Sequence, residues 1–184
     1  MHRVFFKGVP FLIVGVFYQA VPLCLTMPSQ TIRSEKPSEV LHSVNFVSGG
    51  KHFIAVVESD MPNKIRIWRL TDSSRELIFE YADTRYDSVS GGREAFGVFD
   101  VLNSGNKQVG WKYCKSHFCP ERSTVIMFDI QRKILFRADY TDGSGLFLSA
   151  NLRSNPRIKD CMLKWWAEWP GSAAALSGPI AYRE

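Results

Sequence analysis

The chain has 184 residues, a formal net charge of +5 and 45% hydrophobic residues. This length allows one domain together with a targeting segment. Arg3 and Lys7 lie in a first segment without acids, and removing these two charges leaves only +3 for the rest of the chain. So mild a balance, with no clustered basic face in the sequence, argues against a nucleic-acid partner.

Residues 1–29 predict a signal peptide or an N-terminal anchor. Arg3 and Lys7 form a positive start, and the apolar stretch from Val9 to Leu25 follows it. Pro10 and Pro22 interrupt this stretch, which fits a secretory signal better than a spanning helix. The sequence therefore predicts export to the periplasm or beyond, with membrane contact only through this segment if it stays uncleaved. The remaining ranges are predicted as a linker (30–41), a single β-rich domain (42–170) and a disordered tail (171–184).

The first half of the domain predicts a β-meander. Apolar residues alternate with polar ones, or run together, in three segments bounded by turn residues. In the second segment Ile65 and Ile67 share one face, and Trp68 lies on the other. In the third segment Leu77, Phe79 and Tyr81 are predicted to point inward. The segments are His52–Glu58, Lys64–Leu70 and Glu76–Tyr81.

A hairpin is predicted in the centre of the domain, within Phe96–Pro120. Residues alternate with period two before and after the turn Asn103–Asn106. Gly105 takes a positive φ at little cost, which a tight turn requires. Phe96-Gly97, Asp100 and Gly105 resemble the turn of FG-GAP-type β-propeller repeats, and that resemblance implies a calcium-binding loop.

Calcium is nevertheless not expected in this turn. Calcium takes about 6–8 oxygen ligands, several of them from carboxylates. Three of the family's ligand positions hold residues that suit calcium poorly, namely Leu102, Ser104 and Gln108. The turn also occurs once, whereas a propeller needs several copies. A plain hairpin turn without a metal or other cofactor is therefore predicted.

A longer resemblance covers His52 to Trp169. The degenerate Asp/Asn/Gly turn is followed by an aromatic strand with a cysteine, a short Ser/Pro loop, an apolar strand and a Trp-containing helix. This order is similar to that of small exported bacterial proteins loosely linked to surface-polysaccharide biosynthesis. The resemblance implies a location in the cell envelope more than a chemistry. The matching pieces are Asp100–Gly105, Trp111–Cys114, Cys119-Pro120, Val125–Met127 and Asn155–Trp169.

The end of the domain predicts further strands and one helix. Thr124–Asp129, Ile134–Tyr140 and Leu146–Leu148 have strand patterns. Asn155 and Pro156 suit a helix start, and apolar residues follow with helical spacing up to Trp169. Strands in runs before one late helix predict an α+β fold, an antiparallel meander-type sheet of about seven strands with the helix packed on it.

Cys114 and Cys119 are predicted to form a disulfide, because the chain is expected to leave the cytoplasm. Two alternatives remain open. Cys161 can pair with either cysteine across the helix–sheet contact. A zinc ion can instead be held by Cys114, His117, Cys119 and Cys161, although their spacing is not a common finger pattern.

No catalytic motif is present in the sequence, so a non-enzymatic exported binding protein is the leading prediction. A basic loop with an aromatic residue is the candidate binding surface for a partner protein or an envelope glycan. The residues of this surface are Lys112, Lys115, His117, Phe118 and Arg122. The alternative is a carbohydrate-active envelope protein, in which Trp68 and Trp111 stack on sugars and Asp83 and Asp87 supply acids.

Overall fold

Ten β-strands, a short 3-10 turn (Ala150–Leu152) and one α-helix make up the residues that the computed structural model describes. The described ranges are 39–59, 62–83, 94–114, 122–169, 172 and 176–184, and they all belong to one compact unit. The strands are β1 Glu39–Ser48, β2 Lys51–Ser59, β3 Lys64–Leu70, β4 Arg75–Ala82, β5 Glu94–Phe99, β6 Gln108–Cys114, β7 Arg122–Asp129, β8 Ile134–Thr141, β9 Gly145–Ser149 and β10 Ile180–Arg183, and the helix is α1 Pro156–Ala167.

The strands form two sheets, where the sequence predicted one meander of about seven strands. The first sheet has the order β1-β2-β3-β4, and the second has the order β10-β9-β8-β7-β6-β5. Within each sheet consecutive strands pair antiparallel up to β9, whereas β10 pairs parallel with β9. The α+β class and the helix on a sheet are confirmed, but the single sheet is wrong. Alternation shows which side chains share a face of a strand, not which sheet that face will meet.

The six-stranded sheet is buried on both faces because it forms the middle layer. One face packs on the four-stranded sheet, where Ala55, Ile67 and Trp111 belong to one apolar core. The other face packs on the helix, where Met127, Phe136 and Trp166 belong to a second core. Every residue of β6 is consequently buried, including the polar Gln108 and Lys112.

Helix α1 begins at Pro156, as predicted, and ends at Ala167, two residues before the predicted end at Trp169. Asn155 occupies the N-cap position but makes no side-chain cap. Its Nδ2 instead donates to the carbonyl oxygen of Asn151 at 2.8 Å. The predicted apolar stripe is buried against the six-stranded sheet, although Cys161 is only partly covered.

Both ends of the domain depart from the predicted ranges. β1 begins at Glu39, inside the segment predicted as a linker. The tail predicted to be disordered contains β10, whose four residues pair with Leu146–Ser149 of β9. The backbone N–H of Leu146 also donates to Pro179 O at 3.0 Å, which helps to hold the tail in place.

A register shift in β4 changes the face of one predicted core residue. The β3–β4 pairing shifts between Ile67 and Trp68. Phe79 and Tyr81 pack in the core between the sheets as predicted, and Ile78 packs there as well. Leu77 is 43% exposed instead of pointing inward. The bulge at this shift places the residues of β4 that come before the bulge, Leu77 among them, on the opposite face.

Candidate functional site

The predicted basic loop is only partly described. Lys115, His117 and Phe118 lie outside the described residues, and Arg122 is exposed at the start of β7. Lys112 is not part of an exposed surface, since its side chain is only 3% exposed. The prediction counted Lys112 among the residues of a basic loop that forms a binding surface. That expectation is wrong for Lys112, because helix α1 covers the face from which its side chain projects.

Lys112 is held by the C-terminal end of the helix. Its Nζ donates to the carbonyl oxygen of Trp165 and lies 3.5 Å from Oε2 of Glu168. The ammonium also lies 4.9 and 5.0 Å from the ring centroids of Trp165 and Trp169. Burial lowers the pKa of Lys112, and the charge of Glu168 opposes that change. The ammonium donates to a carbonyl that has no partner within the end of the helix. The role of Lys112 is therefore structural.

The structure describes two of the four cysteines, Cys114 and Cys161. Cys114 is disulfide-bonded, whereas Cys161 is a free thiol. Cys24 and Cys119 lie outside the described residues, so the Cys114–Cys119 pairing stays a prediction. Within the described ranges no three His, Cys, Asp or Glu side chains converge as metal ligands, but His117 and Cys119 of the zinc alternative are not among those residues.

The β5–β6 turn is organised around the carboxylate of Asp100. Oδ1 accepts the backbone N–H of Ser104 at 3.0 Å, and Oδ2 accepts that of Gly105 at 3.2 Å. The ammonium of Lys107 lies 3.0 Å from Oδ2. The hydrogen bond from Lys107, aided by the two backbone N–H groups, lowers the pKa of Asp100 despite some desolvation. The carboxylate that resembles a calcium ligand is thus engaged by donors of the chain itself.

The most developed concave site lies beyond one edge of the four-stranded sheet. β4 is the edge strand of that sheet, and its Phe79 stacks on Phe128 of β7 with ring centroids 4.0 Å apart. Residues of β4, β8, β9 and β10 line a cleft of about 420 Å³ beside this edge, which we call the Arg137 cleft. Its principal lining residues are Tyr81, Asp83, Arg137, Asp139, Phe147 and Arg183.

Arg137 joins the carboxylates of both sheets at the base of the cleft. Its Nη2 donates to Asp83 Oδ2 at 2.8 Å and to Asp139 Oδ1 at 3.0 Å, and its Nε donates to Asp139 Oδ2 at 2.7 Å. Thr124 Oγ1 adds a hydrogen bond of 2.7 Å to Asp139. Two carboxylates and one guanidinium are therefore fixed by charge-assisted hydrogen bonds, the stronger class in proteins.

Two tyrosines complete this network. Arg137 Nη1 donates to the hydroxyl oxygen of Tyr81, and the Tyr113 hydroxyl donates to Asp83 Oδ2 at 2.6 Å. Burial, with the nearby Tyr81 and Asp83, raises the pKa of Tyr113 well above its ordinary value. Tyr113 therefore stays a neutral donor. The network ties β4 of one sheet to β6, β7 and β8 of the other.

The mouth of the cleft is formed by Arg183 and Phe147. The guanidinium carbon of Arg183 lies 3.3 Å from the centroid of the Phe147 ring. Arg183 pairs with Ser149 in the parallel β9–β10 ladder, and its side chain is exposed. The cleft thus has a fixed base, formed by the Arg137 network, and an exposed cation at its entrance.

The residues predicted to bind or cleave sugars are not brought together. Trp111 is 1% exposed, and its Nε1 donates to Glu94 at 3.2 Å, so its ring offers no free face. Trp68 is partly exposed on β3, away from the Arg137 cleft, and Asp87 lies outside the described residues. Asp83 alone belongs to the cleft.

Sequence reasoning missed Arg137 and Asp139, the centre of the cleft. The available signal was a charged pair in the otherwise apolar strand ILFRADY. Because Arg137 and Asp139 are two residues apart, they lie on the same face of β8. A charged pair on one face of a strand in the middle of a sheet predicts a polar site on that face.

No protein-family model, curated protein or solved structure matches this chain. Among the described residues no helix has the length and apolar character needed to cross a membrane.

Proposed function

We propose that this protein is a non-enzymatic binding protein of the cell envelope and that the Arg137 cleft is its recognition site. The observation that carries the proposal is a preformed concave site whose polar groups are already oriented by one another. Its volume, about 420 Å³, falls within the size range of pockets for small ligands. Prior orientation of Arg137 and its partners reduces the entropy lost when a ligand binds.

The same network argues against glycosidic catalysis in the cleft. Asp83 and Asp139 are both reached by one nitrogen of Arg137, at 2.8 and 3.0 Å, which brings them as close as the catalytic carboxylates of some glycosidases. The guanidinium, however, fills the space between them, so no sugar bond can enter there.

A short stretch of envelope glycan is the ligand that the cleft fits best. Sugar hydroxyls both donate and accept hydrogen bonds, and the cleft offers both carboxylate acceptors and guanidinium donors. Phe147 and Tyr81 add ring edges beside the polar groups. Support for the predicted protein-binding loop is weaker, because Lys112 is buried under the helix. The envelope location itself rests on the composition of residues 1–29.

The test is a binding assay with oligosaccharides released from the native cell surface, using the purified mature protein and calorimetry. Arg183→Ala removes the exposed cation at the cleft mouth and is expected to weaken binding about tenfold, the effect of about 1.4 kcal/mol. Arg153→Ala is the matched control. Arg153 also lies over a ring, 4.7 Å from the centroid of Tyr182, but Tyr182 is on the opposite face of β10.

Three outcomes contradict the proposal. Equal effects of Arg183→Ala and Arg153→Ala place binding elsewhere. Release of new reducing ends from the saccharides, lost in Asp83→Asn, makes the protein an enzyme. A pull-down that recovers a protein through wild type but not through Arg183→Ala, with no saccharide bound, assigns the cleft to a protein partner.

A further inference from the structure

A second pocket lies at the other end of β4, about 250 Å³ in volume. Glu76, near the start of β4, lines this pocket, whereas Tyr81, near the end of the strand, lines the Arg137 cleft. Their separation of five residues corresponds to about 17 Å along an extended strand. The two sites are therefore distinct. Apolar side chains contribute to the second pocket, among them Phe53 of β2 and Ile130 of the β7–β8 turn.

Positive charge dominates the second pocket. Lys51 comes from β2, Arg69 from β3 and Lys133 from the β7–β8 turn. The one acidic side chain that lines it is Glu76, whose carboxylate pairs with Nη2 of Arg69. These four side chains carry a net charge of +2, whereas Arg137, Asp83 and Asp139 together carry a net charge of −1. Three cations converging from separate elements favour an anionic ligand.

Arg69 retains an unused hydrogen-bond donor. Its Nε is buried and has no acceptor among the described residues. A buried donor without a partner costs free energy, and in a native structure it calls for an explanation such as an ion. The carboxylate of Glu76 pairs with Nη2, on the edge of the guanidinium that Nη2 shares with Nε, and the Glu76 side chain is 52% exposed. Glu76 can therefore swing away when another anion approaches.

Lys133 is in a backbone conformation that lysine rarely adopts. Its φ is 57°, and its N–H closes the turn on the carbonyl oxygen of Asp129 at 2.9 Å. Glycine or asparagine is less strained at such a position. A lysine side chain at a position that favours glycine is the kind of strain that accompanies binding sites.

We propose that the second pocket binds a compact anionic group, a phosphate or sulfate, carried by a small soluble molecule. Lys51 and Lys133 supply the charge, and the Arg69 guanidinium supplies a planar pair of donors for two oxygens. The apolar floor of Phe53 and Ile130 accommodates the part of the molecule that carries the anion. This site does not depend on the function proposed for the Arg137 cleft.

The test uses inorganic phosphate, inorganic sulfate and glucose 1-phosphate as probes, at constant ionic strength with chloride as reference. Calorimetry on the wild-type protein is expected to give a dissociation constant in the millimolar range or tighter. Lys133→Gly keeps the turn and removes the ammonium, so it should weaken binding about fivefold or more, the loss expected for one nearby charge. Glu76→Gln should strengthen binding by a similar factor, because it removes the competing carboxylate.

The control is Lys164→Gln, which removes an exposed lysine of helix α1 and is expected to leave binding unchanged. Lys133→Gly should not lower the melting temperature, because glycine relieves the strained φ, so lost binding cannot be attributed to unfolding. The proposal is overturned if no probe binds, if Lys164→Gln has the same effect as Lys133→Gly, or if Glu76→Gln weakens binding. Sedimentation with phosphatidylglycerol vesicles but no binding of the soluble probes would also overturn it.

Discussion

Lys107 and Asp100 form an ion pair inside the turn between β5 and β6, with 3.0 Å between Nζ and Oδ2. The turn resembles a calcium loop in sequence, but the lysine ammonium sits against the one carboxylate that remains. Backbone N–H groups of Ser104 and Gly105 occupy the same carboxylate. The turn is thereby neutralised and closed by the chain itself.

We expect the mature protein to bind no calcium at this turn. A divalent ion would have to displace the Lys107 ammonium, and Leu102 and Gln108 add no carboxylate. Calorimetric titration should therefore show no site with a dissociation constant tighter than about 1 mM, the weak end for extracellular calcium modules. A tighter site that disappears in Asp100→Ala would contradict this expectation.

Asp100 should also contribute to the pH dependence of stability. Its pKa in the folded protein lies below the ordinary value of 3.8, chiefly because of the hydrogen bond from Lys107. A depressed pKa gives stability that is present above pH 3.8 and is lost as the pH falls through the folded-state value. Asp100→Asn should consequently be less stable than wild type at neutral pH, and the difference should shrink in acid. Urea unfolding at several pH values measures it, and a difference that grows in acid would disprove the assignment.

Arg137→Ala is expected to destabilise the protein by about 2–3 kcal/mol, the lower end for removing one partner of a buried pair. The lower end applies because the Arg137 side chain is 24% exposed, while Asp83 is 5% exposed and would lose its ion pair with the guanidinium. Arg183→Ala, in the same cleft, is the control and should change stability by less than about 0.5 kcal/mol, as surface substitutions do. Denaturant unfolding of the two variants measures both changes in stability. Equal losses of stability would contradict a structural role for the network.

The paired glycines Gly97 and Gly110 allow the helix to approach the six-stranded sheet. They lie opposite each other in the β5–β6 ladder. A Cβ at Gly110 would meet Trp165 at 2.7 Å and Phe99 at 2.9 Å, whereas one at Gly97 would meet only the end of Phe99 closer than 3.4 Å. Gly110→Ala should therefore destabilise by about 1–3 kcal/mol, the usual cost of overpacking, and Gly97→Ala by less. Thermal unfolding that reverses this order would contradict the packing argument.

A peptide map of the unreduced protein should show Cys114 linked to Cys119. Such a short loop should contribute at most about 2–3 kcal/mol through the unfolded state. Cys161 should be alkylated more slowly in the folded protein than after unfolding, because burial raises the pKa of its thiol and the thiolate is the reactive form. Linkage of Cys114 to Cys161, or two free thiols at Cys114 and Cys119, would contradict the predicted pairing.

Local patterns were enough to place most elements of this fold. Eight of the ten strands and the helix follow from alternation, turn residues and the helical spacing of apolar residues. β1 lies beside a polar segment that obscured it, and β10 has only four residues, which depend on β9 for their position. The division into two sheets leaves no local trace, because an apolar face looks the same whether it meets a sheet or a helix.

The candidate site was less predictable for the same reason. Arg137 and Asp83 are 54 residues apart, and no spacing rule connects them. Lys112 illustrates the converse error. Lys112 was predicted to belong to a basic binding loop, whereas Trp165 and Glu168, more than 50 residues later, contact and cover its ammonium. Only the packing of distant elements shows whether a charged residue on a strand is exposed or covered.

The attachment of Lys112 to the helix also has a consequence for biosynthesis. The ribosome produces β6 well before helix α1, so the nascent central strand carries a cation whose acceptor, the Trp165 carbonyl, does not yet exist. Until that acceptor is made, the helix-facing side of the strand remains hydrated, and the middle layer cannot close on both faces. Domains generally fold as units, and for this one the unit is completed only after helix α1 has been made.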